Sequence, residues 1–130
     1  MKKRRTKSSL EKELDRVFSI WIRTRTAIDG YNECISCGKT YHWTEMDCGH
    51  YISRVHRSTR WDELNCYPQC KRCNIFLKGN YPNYSLALVK RYGSDILEEL
   101  SIKRNKTVKI STPEMESLID HYRSLIHPIK

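Results

Sequence analysis

The sequence has no long apolar run, no internal repeat and no low-complexity tract. No stretch approaches the roughly 20 apolar residues that a membrane-spanning helix requires. The basic N-terminus leads into an amphipathic segment, not into the apolar core of a secretory signal. We therefore expect no membrane partner, and we expect the protein to stay in the reducing cytoplasm.

Acidic residues are scarce relative to basic ones. The 130 residues include 15 Asp and Glu against 24 Lys and Arg, a net charge of +9. Residues 1–25 carry nine basic and three acidic groups, residues 50–80 carry six and two, and residues 90–130 carry eight and six. A basic excess concentrated in this way favours polyanions, which release counterions on binding. The sequence predicts nucleic acid as the partner.

The cysteines form two pairs with the same spacing, Cys34-x2-Cys37 and Cys70-x2-Cys73, separated by 32 residues. In a reducing compartment clustered cysteines favour a metal over disulfides. Two C-x2-C turns are typical of a tetrahedral structural zinc site. The sequence therefore predicts a structural Zn²⁺ held by these four thiolates.

Two alternative ligand sets remain open. Cys48 and His50 can complete a site with the first cysteine pair, or Cys66 can replace Cys70 in the second pair. The four-thiolate set is favoured because it uses two identical turns and leaves the histidine free. In that case Cys48 and Cys66 are expected to be small buried residues beside the zinc.

The pattern predicts an α+β fold in which a small zinc-stabilised core is flanked by helices. We expect a basic flexible arm over residues 1–7 and a single domain over 8–130. That domain divides into an N-terminal helix (8–28), a zinc core (31–80) and C-terminal helices (83–130). Ser8-x-x-Glu11 is a capping box, and apolar residues recur at helical spacing from Leu10 to Trp21. Within the core we expect short strands in 31–43 and 46–52, a polar loop at 54–60 and a short helix over 70–79.

Four polar residues have the chemistry of a phosphodiester hydrolase: three lie between the two cysteine pairs and one directly follows the second pair. Such an enzyme needs a cation to neutralise charge on the phosphate and a base to take a proton from water. His50 suits the base, because neutral imidazole accepts a proton near pH 7. Asp47 and Asn74 offer oxygen ligands to Mg²⁺, which leaves its other positions to water and phosphate. Asn65 precedes Cys70 by five residues.

At these residues the chain resembles a known group of nucleases. The order His50, Asn65, Asn74, with the two asparagines on either side of a C-x2-C, is similar to the HNH motif and its ββα-metal fold. More narrowly, DCGHYISR, TRWDELNCYPQCKRCN, FLKGNYPNY and LVKRYG resemble the phage NinG/Rap recombination family. The similarity covers roughly residues 32–100. The family consists of structure-selective endonucleases linked to branched DNA and Holliday-junction cleavage.

The resemblance implies a role for each matching residue. His50 would activate water as the general base, Asn65 would brace the loop that carries His50, and Asn74 would bind the catalytic metal. Many HNH sites have a metal ligand immediately before the base, where this chain has Gly49. Asp47 is the nearest carboxylate.

His56 is a second candidate as a metal ligand or proton carrier, or as a phosphate contact. Basic side chains near the motif are the expected DNA contacts. With His56, they are Arg54, Arg57, Arg60, Lys71, Arg72 and Lys78.

The sequence thus predicts a zinc-stabilised, Mg²⁺- or Mn²⁺-dependent endonuclease acting on branched DNA, with a homodimer expected for symmetric cutting of a four-way junction. Two alternatives stay open: a general HNH nicking enzyme in phage DNA processing, and a non-catalytic zinc module that binds nucleic acid. The residue that separates catalysis from binding is His50.

Overall fold

The computed structural model describes residues 5–126, which form five α-helices, four short strands and two irregular helical turns. Residues 1–4 of the predicted arm and residues 127–130 lie outside the described part. The helices and strands are, in chain order, α1 (Lys7–Thr24), β1 (Tyr31–Glu33), β2 (Thr40–His42), β3 (Met46–His50), α2 (Arg57–Arg60), β4 (Cys66–Cys70), α3 (Tyr81–Tyr92), α4 (Ile96–Arg104) and α5 (Thr112–Ile126). This arrangement confirms the α+β class. Within residues 5–126 no helix combines the length and apolar character needed to cross a membrane.

Helix α1 begins earlier and ends earlier than predicted. Thr6, not Ser8, is the N-cap, because its hydroxyl accepts a hydrogen bond from the Ser9 amide at 3.1 Å. The helix ends at Thr24, whose hydroxyl donates to the Ile20 carbonyl at 2.6 Å. The turn expected to stop the helix, where Asp29 has φ 50° and Gly30 has φ 83°, lies five residues further on.

The main core lies between α1 and α5. The apolar face of α1 is buried along almost its whole length and packs on Met115, Ile119 and Tyr122 of α5. The rings of Phe18 and Tyr122 meet edge to face with centroids 5.1 Å apart. The apolar face of the last helix is therefore part of the core.

Two antiparallel hairpins follow α1. In the first, Tyr31 pairs with His42 and Glu33 pairs with Thr40, with the Cys34–Cys37 turn between the strands. The second pairs β3 with β4, so that Met46 lies opposite Cys70.

The register of the β3–β4 hairpin positions the candidate site. Asp47 lies opposite Gln69, and His50 lies opposite Cys66. This hairpin brings the start of the strand that carries His50 beside the start of the second cysteine pair.

Two segments differ from the predicted secondary structure. The polar loop at 54–60 contains one turn of helix, α2, which tertiary contacts stabilise: Thr59 is fully buried and the two arginines of the turn pair with acids of α1. A single turn like this has no regular spacing of apolar residues that would indicate it in the sequence. The helix expected over 70–79 is a single π-helical turn, Arg72–Phe76, which ends where Lys78, Gly79 and Asn80 all adopt positive φ.

A second core lies under α3 and α4, in the region where the sequence predicted C-terminal helices. It contains Tyr84 and Leu88 of α3, Ile96 and Leu100 of α4, and Tyr67 of β4. The hydroxyl of Tyr84 donates to the Gly49 carbonyl at 2.7 Å. This bond anchors the histidine-bearing strand to α3.

Candidate metal centre and active-site cleft

The four predicted zinc ligands converge at one point. The Sγ atoms of Cys34, Cys37, Cys70 and Cys73 all lie within 4.8 Å of one another, with Cys37 and Cys70 3.8 Å apart. The turn after β1 supplies one pair, and the junction of β4 with the π-helical turn supplies the other. Four thiolates are the ligand set of closed structural zinc sites, so these residues fit a zinc ion.

The hydrogen bonds around the cluster are those that sulfur ligands accept. The Cys73 amide points at the Cys70 Sγ at 3.5 Å, and the Asn80 side chain donates to the Cys73 Sγ at 3.4 Å. Burial raises the pKa of the Cys73 thiol to about 12 and also raises the pKa of Cys37. Four thiolates at this separation therefore require a cation to offset their charge.

The alternative zinc sets are not favoured by this geometry. Cys48 and His50 lie with Cys66 in a separate cluster, away from Cys34 and Cys37. Cys66 is fully buried against the α1–α5 core, whereas Cys70 takes the place in the four-thiol cluster. Cys66 is thus the buried residue that was expected, while Cys48 is only half-buried.

A cleft of about 460 Å³ lies between α1, β3 and the π-helical turn. It brings together three of the predicted site residues, Asp47, His50 and Asn74, with Arg54 from the following loop. Asp15, Phe18, Ser19, Cys48, Ser53 and Tyr81 complete its lining. Residues distant in sequence thus form one polar cavity of the size expected for a small binding site.

The ring of His50 is held by a short contact with a backbone carbonyl. Its Nε2 lies 2.8 Å from the Arg60 carbonyl oxygen. Because a carbonyl only accepts hydrogen bonds, Nε2 carries the hydrogen, and the neutral ring keeps its lone pair on Nδ1. Burial lowers the pKa of His50, against the opposing effects of the Arg60 carbonyl and the charge of Asp15. Burial therefore favours the neutral imidazole.

Asn65 is fully buried and fixes the loop between β3 and β4. Its side-chain oxygen accepts from the Ile52 amide at 2.8 Å, and its side-chain nitrogen donates to the Ile52 and Thr59 carbonyls, each at 3.0 Å. These bonds join the end of the His50 strand to the segment that supplies the Arg60 carbonyl. Asn65 has the contacts that a bracing role requires; it does not line the cleft.

Asp47 and Asn74 are in direct contact. The Asn74 amide donates to the Asp47 Oδ2 at 3.0 Å, and Lys71 pairs with Oδ1 at 2.7 Å. A half-turn of the terminal amide would present the Asn74 oxygen beside the carboxylate. One carboxylate oxygen and one amide oxygen fit a hard divalent cation that keeps several waters.

Steric contacts explain the glycine that precedes His50. A Cβ at position 49 would lie 2.3 Å from the Gln69 side-chain oxygen. Gln69 is fully buried and donates to Ser36 Oγ and the Gly79 carbonyl, at 2.9 and 2.7 Å. A metal ligand at position 49 would have no room, because the Gln69 side chain occupies that space. The same side chain links β4 to the first cysteine turn and to the chain after the π-helical turn.

The predicted DNA contacts divide into two groups. Arg57 pairs with Glu11, and Arg60 makes a two-point contact with Asp15 at 3.1 and 2.6 Å. For Arg57 and Arg60 the structure favours a structural role over the predicted phosphate contact. Their guanidinium groups hold the α2 segment against α1.

The other basic candidates are available to a ligand. Arg54 is exposed and lines the cleft, although its guanidinium lies 4.0 Å from the Asp15 carboxylate. Lys71, Arg72 and Lys78 are exposed around the π-helical turn, although Lys71 is engaged with Asp47. His56 is the N-cap residue of α2 and does not line the cleft, so its role as a ligand or proton carrier stays a prediction.

Asp15 is the site residue that the sequence did not indicate. Its carboxylate accepts from Arg60 and from the Trp61 indole, the latter at 2.9 Å, and it lines the cleft opposite His50. In the sequence it is one polar position on an amphipathic helix. Only the packing of α1 across the hairpin reveals its place.

Comparison with known proteins adds to this geometry. The whole chain, residues 1–130, matches the family described as Bacteriophage Lambda NinG protein. Protein ninG of Escherichia phage 933W is 32% identical over 96 residues, covering 73% of this chain and 46% of that protein. Protein ninG of Escherichia phage lambda is 31% identical over 96 residues, covering 73% and 45%. Protein ninG of Salmonella phage P22 is 28% identical over 120 residues, covering 92% and 57%.

The chain spans about half the length of the curated relatives that it matches. No solved structure matches it. The match over every residue from 1 to 130 confirms the narrower of the two resemblances at the level of the family: the chain belongs to the bacteriophage lambda NinG protein family.

Proposed function

We propose that this protein is a divalent-metal-dependent DNA endonuclease of the HNH type that hydrolyses phosphodiester bonds in branched DNA during phage recombination. The observation that carries the proposal is the cleft itself. It places the neutral His50 imidazole and the Asp47–Asn74 pair on the walls of one cavity. A base and an oxygen-ligand pair are the two parts that hydrolysis of a phosphodiester requires.

The proposed fold of the centre is ββα-metal. The β3–β4 hairpin supplies Asp47 and His50, and the π-helical turn that follows β4 supplies Asn74. The four-thiol zinc cluster lies at the junction of β4 and that turn, so it fixes the angle between the hairpin and the residue that carries the amide. Zinc would thus have a structural role.

In the proposed mechanism the lone pair on His50 Nδ1 takes a proton from water as the water oxygen attacks phosphorus. The bond from phosphorus to the 3′ oxygen breaks, and that oxygen takes a proton from solvent, so the products carry 5′-phosphate and 3′-hydroxyl groups. The Arg60 carbonyl keeps the ring oriented and, with Asp15, stabilises its protonated form. A Mg²⁺ or Mn²⁺ ion held by Asp47 and Asn74 would neutralise the charge that develops on the phosphate oxygens.

Charge near the cleft supports DNA as the substrate. Arg54 lies on the cleft wall, and Arg72 and Lys78 are exposed beside the turn that carries Asn74. Phosphate contacts of this kind position a duplex without reading its sequence. Selectivity for branched DNA, the homodimer that symmetric cutting favours and the location in the host cytoplasm are part of the same proposal.

The test is cleavage of a labelled four-way junction and of a linear duplex of the same sequence, with Mg²⁺, Mn²⁺ or EDTA. The protein and its His50→Ala variant are compared, with His121→Ala as the control because that residue is exposed on α5. We expect metal-dependent cutting of the junction that the His50 variant loses by about 10²–10⁴-fold, while its DNA affinity is unchanged.

Other results would select other functions. Equal cutting of both DNAs would identify a general nicking endonuclease. Binding without cutting of either DNA in any metal would contradict the enzyme and leave a zinc module that binds nucleic acid.

A further inference from the structure

A second group of metal-ligating side chains lies behind the wall of the cleft. Cys48 and His50 are two residues apart on β3, so they share one face of the strand. Cys66 lies directly opposite His50 on β4. The two sulfur atoms and a ring nitrogen all lie within 4.8 Å of one another, the same spacing that the four-thiol cluster satisfies.

The group is open to the cleft on one side. Cys48 and His50 are half-buried and line the cavity, whereas Cys66 is fully buried behind them. Cys48 and His50 therefore offer ligand atoms to a small cation in the cleft, and the Cys66 sulfur lies within 4.8 Å of both.

We propose that Cys48, Cys66 and His50 form a second metal site, selective for a thiophilic divalent cation such as Zn²⁺. Thiolate and imidazole are the ligands that such ions prefer, whereas the carboxylate and amide of Asp47 and Asn74 suit Mg²⁺ or Mn²⁺. Binding releases the two thiol protons to solvent. Three protein ligands leave the fourth tetrahedral position to a water molecule.

The nitrogen involved is Nε2 of His50. Both Nε2 and the Cys66 sulfur approach the Arg60 carbonyl oxygen, at 2.8 and 3.8 Å, so Nε2 is on the thiol side of the ring. A cation at this atom takes the place of its proton and separates it from the Arg60 carbonyl. The ring then loses the contact that orients it, and the cation withdraws electron density from Nδ1.

The consequence for cleavage rests on the proposed nuclease function. Because the same imidazole serves as the base, Zn²⁺ in this site inhibits hydrolysis that Mg²⁺ supports. The four-thiolate site, with four charged ligands against two, fills first. The first equivalent of Zn²⁺ therefore supports folding, and a second equivalent inhibits hydrolysis.

The test counts metal ions in the intact protein by equilibrium dialysis against graded Zn²⁺. Co²⁺ serves as a second probe, because thiolate ligation gives it an intense near-ultraviolet charge-transfer band. We expect two ions per chain in the wild type and one in Cys48→Ser and in Cys66→Ser. His121→Gln, a surface histidine change on α5, should keep two. Thermal melts of each variant with one zinc bound show that it is folded.

The number of Zn²⁺ ions bound by the wild type tests the second site even if a cysteine variant does not fold. One ion per chain at all zinc concentrations would overturn the site, and so would a second ion that both serine variants retain. Cleavage assays in Mg²⁺ with added Zn²⁺ separate this proposal from the nuclease. A second ion in a protein that cuts no DNA would retain the site and reject the enzyme. Cleavage that added Zn²⁺ does not inhibit, in a protein that binds one ion per chain, would retain the enzyme and reject the second site.

Discussion

The backbone carbonyl of Arg60 accepts a 2.8 Å hydrogen bond from Nε2 of His50. This contact selects the tautomer that leaves Nδ1 free to accept a proton. The carbonyl belongs to α2, which is held against α1 by the Arg60–Asp15 and Arg57–Glu11 pairs. The state of His50 thus depends on α1, which is distant in sequence and lines the same cleft.

Replacement of Asn65 by alanine should destabilise the protein and slow cleavage more than it weakens DNA binding. The change leaves the Ile52 amide and the Ile52 and Thr59 carbonyls without their side-chain partner, at about 1–3 kcal/mol for each group that stays buried. Chemical denaturation and single-turnover cleavage measure the two effects. Asn83→Ala is the control, because that exposed amide contacts only Asn80 among the described residues. Equal losses in DNA affinity and cleavage rate would contradict the positioning role.

The rate of cleavage should stay constant as pH falls through the usual histidine range and decline only at lower pH. Burial lowers the pKa of His50, and the base must be neutral to act, so the acid limb of the profile moves below about 6.5. The same shift acts on stability. The unfolded state binds the proton first, so the free energy of unfolding falls as pH drops below about 6.5. Single-turnover rates and a proton NMR titration of the ring test this, and an inflection above 6.5 would contradict it.

Removal of zinc should unfold the region around the two hairpins. Cys34, Cys70 and Cys73 form a core of their own with Met46, and Cys37 completes the four-thiol cluster. Without the ion the thiols take up protons and no longer join the two hairpins. We expect a strong chelator to lower the melting temperature by roughly 10 °C or more and to expose the thiols to a colorimetric reagent. Cys48→Ser should show the same chelator effect as the wild type. A melting temperature that is insensitive to chelation would exclude a structural ion.

Local patterns in the sequence predicted much of the fold. Helical spacing located α1 to within a few residues, and the C-x2-C pairs identified the four thiols that converge. The region predicted to hold C-terminal helices contains α3, α4 and α5. These features depend on residues that are close in sequence or on one repeated spacing. Helix boundaries were less accurate, because Thr6 rather than Ser8 caps α1.

Features that depend on packing between distant segments were not predicted. Asp15 joins the cleft only because α1 crosses the hairpin. Arg57 and Arg60 are ion-paired because that crossing places Glu11 and Asp15 opposite them. A polar segment has no regular spacing of apolar residues, so its sequence does not indicate which side chains it will contact.

Asp47→Asn should lower the affinity for the catalytic cation without lowering the affinity for DNA. The change removes the carboxylate that contacts Asn74 and Lys71, and amide oxygens bind Mg²⁺ more weakly. We expect cleavage that needs about 10–100-fold more Mg²⁺, the range typical of losing a group at a metal site. Lys71→Met should shift the requirement the other way, because it frees the second carboxylate oxygen. Metal titrations of the cleavage rate test both, with the exposed Glu45→Gln as the control; an unchanged Mg²⁺ requirement in Asp47→Asn would exclude this carboxylate as a ligand.

Asp15→Asn should affect both stability and the His50 titration. The variant keeps the shape of the side chain but loses the charge that Arg60 contacts at two points, a loss of about 1–3 kcal/mol in the free energy of unfolding for hydrogen bonds to a charged group. Because the negative charge of Asp15 raises the pKa of His50, its removal should lower that pKa further. The acid limb of the cleavage profile would then move to still lower pH, while the rate at neutral pH falls because the Arg60 carbonyl is held less firmly.

Glu13→Gln on the same helix is the matched control, since Glu13 pairs with Arg16 and Arg123 and lies outside the cleft lining. A histidine titration that is identical in Asp15→Asn and the wild type would show that α1 holds the hairpin without tuning the base.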